Sequence, residues 1–160
     1  MLRKQIINVP PKAQAPMPGE IDVVAVATVL VTSEDPAHAV DHAFDGLRGP
    51  GGSRWIAGET GEQGLILASD APQTIRQVGL EIEEPEIART QELHLSASCD
   101  GGRTYRELLR QEYNFSPPGT TFEREQWAAS IEGVTHLRLV IKPDKGGKPC
   151  RATLTSLTLR

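Results

Sequence analysis

The chain has 160 residues and a net charge of −4 at pH 7, which fits one domain that buries a core without disulfide support. The acidic balance disfavours binding to nucleic acid or to an anionic membrane, and no apolar run approaches the length of a membrane span. The two cysteines lie far apart, and the opening residues do not resemble a secretory signal. We therefore expect two reduced thiols in a cytoplasmic protein.

The N-terminal segment differs in composition from the rest of the chain. Residues 9–19, "VPPKAQAPMPG", contain four prolines, which is typical of a stiff, extended segment. We therefore predict an extended lead-in over residues 1–20 and one folded domain over residues 21–160.

Apolar and polar residues alternate through most of that domain. "DVVAVATVLV" predicts a first strand that is covered on both faces, because apolar residues fill both phases. "IRQVGLEIE", "ELHLSASC" and "THLRLVIK" each place apolar residues on one face only, and "ATLTSLTL" predicts a last strand with a bulge at Thr155–Ser156. Short alternating strands separated by turn residues predict an all-β, antiparallel β-sandwich.

One short helix is predicted after the first core strand. Asp35 is a suitable cap, Pro36 fits the first helical position and Gly46 fits the end. Four polar side chains share one face of this helix: His38, Asp41, His42 and Asp45. The spacing is compatible with a zinc site, but it is also that of a solvated helix face, which is the interpretation we favour.

The stretch "SASCDGGRTYREL" raises the question of a nucleophilic cysteine loop. Cys99 and Arg103 have three residues between them, whereas the protein tyrosine phosphatase pattern has five. Asp-Gly is a strong hairpin signal, so we predict a turn followed by a returning strand within residues 103–113. Cys99 continues the alternation of the preceding strand and is expected to point into the core.

In their order, these features resemble the discoidin-like domains of the coagulation factor 5/8 C-terminal type, in their bacterial single-domain form. The matching segments, over roughly residues 22–160, are "TSE", "AVDHAFDG", "SRW", "IRQVGLEI", "SASCDGGRTYREL", "GVTHLRLVI" and "TLTSLTL". The resemblance implies the galactose-binding jelly-roll sandwich. It also implies binding without catalysis, because members of this family commonly hold sugars, lipid headgroups or protein partners on loops at one end.

The resemblance implies no catalytic cofactor, although several members bind a structural calcium ion. Asp45 lies in the "DG" that follows the helix, where such a site expects an aspartate. The last strand, "TSLTLR", offers no carboxylate to complete it, and calcium needs several oxygen ligands.

In such a sandwich, the loop after the helix and the loop between two central strands should meet at one pole. The first loop contributes Arg54 and Trp55, and the second contributes Glu84 and Arg89. Guanidinium and carboxylate groups beside an aromatic ring fit a polyhydroxylated ligand, although Trp55 is also a good candidate for the core. We predict a carbohydrate site at this pole.

A second candidate surface is polar. Arg110, Glu112, Glu123 and Arg124 interleave with glutamines in strand-like stretches and would form an interaction face if the strands bring them together. An exposed, ion-paired sheet surface without a partner is the other interpretation. Two functions therefore remain open: a carbohydrate-binding module, and a protein-interaction or oligomerisation domain. No convincing catalytic constellation is present, so an enzyme is not predicted.

Overall fold

The computed structural model describes residues 18–160, so the extended segment predicted for residues 1–20 lies almost wholly outside the described residues. Within these residues, a single helical turn and a short 3-10 helix accompany eight strands. Their bounds are α1 Val23–Val26, β1 Ala27–Val31, the 3-10 helix Val40–Ala43, β2 Trp55–Thr60, β3 Gln63–Glu83, β4 Arg89–Ser98, β5 Arg106–Phe115, β6 Phe122–Lys142, β7 Arg151–Leu154 and β8 Ser156–Leu159. No helix among residues 18–160 is long and apolar enough to cross a membrane.

All of the strand pairs are antiparallel. The main sheet has the order β1-β3-β6-β4-β5, with β8 added to β3, and β2 pairs with β7 separately. The long strands β3 and β6 pair twice, residues 63–68 with 136–141 and residues 77–83 with 122–128, with irregular pairing between the two parts. Among residues 18–160, β5 pairs only with β4, and residues 122–128 of β6 pair only with β3.

Apolar alternation determines which face of each strand is buried. Leu93, Leu95 and Ala97 of β4 are buried and lie opposite apolar residues of β6, while the residues between them are half-buried. Burying one such leucine contributes about 1.5–3 kcal/mol. Apolar side chains from both parts of β3 and from β8 belong to the same core cluster. The predicted antiparallel β-sandwich is confirmed.

The first predicted strand is partly wrong. Residues 23–26 form a helical turn capped by Asp22, and only Ala27–Val31 is a strand. Its residues alternate between half-buried and exposed, and the Leu30 side chain is 52% exposed. Among residues 18–160, β1 pairs only with β3 and is therefore an edge strand. The exposed residues on one of its faces show that it is not covered on both faces.

The predicted helix after β1 is shorter than expected. The backbone pairs Asp35 with His38, and the Asp35 carboxylate accepts a hydrogen bond from the amide of Ala37. Asp35 therefore closes a local turn, and only Val40–Ala43 is helical, in the 3-10 form. Because four residues make about one turn, the four polar residues predicted to share a helix face do not share one helix.

The irregularity predicted near Thr155 is a change of strand partner. β7 pairs with β2, whereas β8 pairs with β3. Thr155 lies between them and is fully buried. Its amide donates to Glu81 O, and its hydroxyl accepts from the amide of Glu83. The interruption therefore moves the chain from one sheet to the other.

The predicted hairpin at residues 99–105 is confirmed, but the predicted position of Cys99 is wrong. β4 ends at Ser98, whose hydroxyl accepts hydrogen bonds from the amides of Asp100 and Gly102. This turn interrupts the alternation one residue before Cys99, so Cys99 is exposed. β5 is the predicted returning strand.

Candidate functional site

The two loops predicted to meet at one pole do meet. In the first loop, the amide of Gly49 donates to Glu81 Oε2 at 2.9 Å, and the amide of Gly51 donates to Glu83 Oε2 at 2.7 Å. Both glycines have positive φ, a conformation that residues with a side chain rarely adopt. Arg54 Nη1 donates to Glu83 O at 3.0 Å. These bonds fix Arg54 beside the end of β3.

A buried ion pair lies beneath this junction. Arg89 Nη2 and Glu84 Oε1 are 2.6 Å apart, and their side chains are only 3% and 5% exposed. Arg89 Nη1 also donates to Arg151 O at 2.5 Å and approaches Pro143 O and Cys150 Sγ. Buried charges need such a set of partners to offset desolvation. The pair therefore forms a structural floor, and its charged groups are not freely exposed for binding a ligand.

A cleft of about 300 Å³ opens above this floor, and we call it the pole cleft. Its lining includes Arg54, Ile56, Ile87, Arg89, Cys150 and Arg151. Ile87 is 36% exposed and contributes apolar surface to the lining. The cleft combines an apolar surface with a few polar groups, which is the usual composition of a small-ligand site.

One rim of the pole cleft carries a further set of paired polar side chains, which the sequence did not predict. Arg151 Nη1 donates to Asp35 Oδ2 at 2.9 Å, and His38 Nδ1 lies 3.2 Å from Asp35 Oδ1. The hydrogen bond with His38, followed by that from the Ala37 amide, lowers the pKa of Asp35. Asp35 and Arg151 are 116 residues apart in the sequence, and no local pattern links them.

Trp55 does not contribute to the ligand surface. Its side chain is fully buried, and its indole Nε1 donates to Ser33 O at 3.0 Å. Trp55 and Ala57 occupy the buried face of β2, and Arg54 precedes that strand. The prediction of Trp55 as a stacking residue is therefore wrong, and its interpretation as a core residue is correct.

The loop around Asp45 does not fit a calcium site. Asp45 Oδ1 accepts from the amide of Leu47 at 2.9 Å, and Oδ2 accepts from the hydroxyl of Ser53. Arg48, in the same loop, forms an ion pair with Glu20. No group of three His, Cys, Asp or Glu side chains within residues 18–160 is arranged to hold a metal ion. Calcium needs several oxygen ligands, whereas this loop is held by the hydrogen bonds to Asp45 and by the guanidinium of Arg48.

The polar interaction face predicted from the sequence is not assembled. Arg110 pairs with Glu107 on its own strand, and Glu112 pairs with Lys145. Arg124 pairs with Glu81 on the outer face of β3, while Glu123 lies opposite Ile82 on the other side of β6. Arg110 and Glu112 share the exposed face of β5, whereas Glu123 and Arg124 point to opposite sides of β6 because neighbouring positions of a strand alternate.

No protein-family model and no curated protein matches the sequence. Among solved structures, the chain is similar to the family 32 carbohydrate-binding module of NanJ from C. perfringens in complex with galactose, with a TM-score of 0.58, 13% identity and coverage of 88% of this chain and 96% of that one. A module of this family from a family 31 glycoside hydrolase of Clostridium perfringens has a TM-score of 0.62 and 13% identity, and the match covers 88% of this chain and 93% of that one. The AlyQ module of the same family, in complex with 4,5-unsaturated mannuronic acid, has a TM-score of 0.57 and 15% identity, and the match covers 84% of this chain and 95% of that one. The protein therefore has the discoidin-like, galactose-binding-like fold.

Proposed function

We propose that this protein is a non-catalytic carbohydrate-binding module that holds its ligand in the pole cleft. The observation that carries this proposal is the convergence of Arg54, the Arg89–Glu84 floor and the exposed Ile87 in one cleft. Arg54 forms no ion pair within residues 18–160, so its remaining N–H groups are available to ligand hydroxyl or carboxylate oxygens. Ile87 offers an apolar contact to the C–H face of a sugar ring.

Two further observations support this function. The structurally similar modules named above were solved with galactose and with an unsaturated mannuronic acid. The chemistry of the cleft also favours binding over catalysis, because Glu84, one of the two glutamates that line it, is paired with Arg89 and only Glu86 is left. A glycoside hydrolase would need two carboxyl groups free to act as acid and as base or nucleophile. The cytoplasmic location predicted from the sequence remains a prediction.

The test is a binding measurement on a sugar panel. Isothermal titration with galactose, galacturonic acid oligomers and glucose oligomers should give saturable binding to at least one of them. Arg54→Ala should weaken that binding about tenfold or more, because a hydrogen bond from a charged donor is lost. Arg54→Lys should retain part of it.

Arg103→Ala is the matched control, because it removes an exposed arginine from the hairpin at the other end of β4. It should leave the binding unchanged. Loss of binding in Arg103→Ala, with Arg54→Ala unaffected, would contradict the proposed location. If no sugar binds and the protein forms concentration-dependent oligomers in sedimentation, the interaction-domain function replaces the proposal.

A further inference from the structure

The main sheet ends on one side at strand β5, whose outer edge is open. Among residues 18–160, β5 pairs only with β4. The strand is 10 residues long, and all of its residues except Tyr113 and Phe115 are exposed or half-buried, so solvent reaches it. A strand at the edge of a sheet presents a row of unpaired backbone N–H and C=O groups, to which another extended segment is able to add.

Hydrogen bonds of β4 show which of its residues bond to β5. The Thr90 amide donates to Asp144 Oδ1 at 3.0 Å, and the Thr90 carbonyl accepts from the Lys145 amide at 2.7 Å. Both partners follow β6, so the backbone of Thr90 points to the side of β4 on which β6 lies. Successive residues of a strand direct these groups to opposite sides. The odd-numbered residues of β4 therefore bond to β5.

The register between the two strands gives the corresponding residues of β5. Leu93 lies opposite Gln111, so the odd-numbered residues of β5 bond to β4 as well. The even-numbered residues Arg110 and Glu112 direct their amides and carbonyls to the open edge, where no loop of residues 18–160 bonds to them. Both residues therefore offer a free backbone donor and a free backbone acceptor at the edge.

The side chains of Arg110 and Glu112 make this edge self-complementary. Both project from the exposed face of β5, with 65% and 44% of the side chain exposed. Within one copy they pair with the exposed Glu107 and Lys145, and such surface pairs exchange partners at little cost. An arginine and a glutamate two residues apart on one strand face match the same two residues of an antiparallel copy.

Charge selects one register among those that the backbone allows. A second β5 strand that adds antiparallel places outward-facing residues opposite each other, so a two-fold axis in the middle of the strand passes through residue 110, 111 or 112. An axis at Arg110 places arginine opposite arginine, and an axis at Glu112 places glutamate opposite glutamate, which is unfavourable. With the axis at Gln111, Arg110 of each copy lies opposite Glu112 of the other.

The inner face of β5 is compatible with the same register. Gln111 of one copy lies opposite Gln111 of the other, and both side chains are neutral. The half-buried Leu109 lies opposite Tyr113 of the second copy, and an aliphatic residue beside an aromatic ring is a favourable cross-strand pair. The opposite edge of the sheet offers no such match, because β1 has five residues and none of them is charged.

We propose that the β5 edge is a homodimer interface, in which two copies join antiparallel about a two-fold axis at Gln111. Backbone hydrogen bonds between Arg110 of each copy and Glu112 of the other hold the strands together, and the two side-chain ion pairs specify the register. The contact covers one strand edge, so association is weak, with a dissociation constant of roughly 10–100 μM. The interface is separate from the pole cleft and does not rest on the sugar binding proposed there.

Sedimentation velocity of the whole chain, over a concentration series up to about 1 mM, tests for this dimer. Arg110→Glu and Glu112→Arg each place like charges opposite one another at two positions, and each should weaken dimerisation at least about tenfold. The double variant Arg110→Glu with Glu112→Arg restores opposite charges and should dimerise as the wild type does. An equimolar mixture of the two single variants should form a heterodimer for the same reason.

A cross-link tests the register. In a Cys99→Ser background, Gln111→Cys should form an intermolecular disulfide on mild oxidation, because residues directly opposite each other on the axis are close enough for one. Glu107→Cys in the same background should not, because in this register the two copies of residue 107 lie about 25 Å apart. A cross-link at residue 107 without one at residue 111 would overturn the proposed register.

Controls separate this interface from a general effect of charge. Arg103→Glu changes the net charge as Arg110→Glu does, but at the exposed hairpin, and should dimerise as the wild type does. All of the charge variants should keep the melting temperature of the wild type at low protein concentration, because the positions are exposed. A chain that stays monomeric over the whole series, or a double variant that does not recover the dimer, would overturn the proposal. A dimer that both single variants leave intact would overturn it as well, because it would belong to another surface.

Discussion

The two ends of strand β4 use similar polar residues in opposite ways. At one end, Arg89 and Glu84 are buried and lie under the pole cleft. At the other end, about 30 Å away for a strand of 10 residues, Ser98 and Asp100 shape an exposed hairpin. The Asp100 carboxylate accepts hydrogen bonds from the amides of Arg103 and Thr104 and from the hydroxyls of Ser98 and Thr104.

The difference lies in how many chain segments contribute. The hairpin is made from one contiguous stretch, and its polar groups are satisfied by the turn itself, so few remain for a ligand. The pole cleft is made from three distant stretches, namely the loop before β2, the loop between β3 and β4, and β7. Groups from separate segments leave a space between them, and that space is what a ligand needs. Four predictions test this contrast.

The largest expected effect comes from breaking the buried ion pair. Arg89→Ala leaves the buried Glu84 carboxylate without its partner, and such a loss typically costs about 3–5 kcal/mol. Arg110→Ala, which breaks an ion pair whose arginine side chain is 65% exposed, should cost less than about 1 kcal/mol. The free energy of unfolding from denaturant titration measures both. Equal losses in the two variants would show that the floor of the cleft carries no special stability.

The two cysteines lie at opposite ends of the molecule and should react differently. Cys99 at the hairpin is exposed, whereas Cys150 lines the pole cleft and is buried beside Arg89. Labelling with a thiol reagent at neutral pH should show one fast thiol and a second that reacts at least about tenfold more slowly, because it needs local opening. Cys99→Ser should remove only the fast phase. Two equally fast phases would mean that the cleft end opens as freely as the hairpin.

The hairpin should make a pH-dependent contribution to stability. Hydrogen bonds from Ser98, and next from Thr104, hold the pKa of Asp100 well below its usual range. The folded pKa is below the unfolded value of about 3.9, so this stability is fully present above about pH 4 and is lost as the pH falls through the folded pKa. The stability difference between the wild type and Asp100→Asn should therefore shrink from pH 5 to pH 2. Asp70→Asn, which removes an exposed carboxylate elsewhere, controls for the lost charge.

The smallest expected effect is that of calcium. Because Asp45 is held by Leu47 and Ser53 and the loop already contains the Arg48–Glu20 ion pair, neither calcium nor EDTA should change the melting temperature by more than about 1 °C. A ligand that binds only the folded protein raises its melting temperature. A calcium-dependent increase that disappears in Asp45→Asn would contradict this prediction.

The sequence by itself determined the class of fold and the position of most strands. Period-two alternation in β4 and in the second half of β6 buries one face of each strand, the apolar residues of the second half of β3 lie in the core, and Asp-Gly placed the hairpin correctly. These signals are local, because a strand's pattern and a turn's backbone angles depend on a few neighbouring residues. The same signals failed over residues 23–26 and at Cys99, where a helical turn and a side-chain hydrogen bond override the alternation.

Tertiary structure decided which polar residues come together. Arg54, Glu84 and Arg89 were identified from the sequence. The structure showed that Glu84 and Arg89 form a buried ion pair, whereas the Arg54 guanidinium bonds to the backbone of Glu83, 29 residues away, and forms no ion pair within residues 18–160. The rim pair of Asp35 with Arg151 and the hydrogen bond from Gln111 of β5 to Glu125 of β6 had no signal in the sequence. Alternation reports which face of a strand is buried but not which strand lies opposite, and strand order is set by the packing of the whole core.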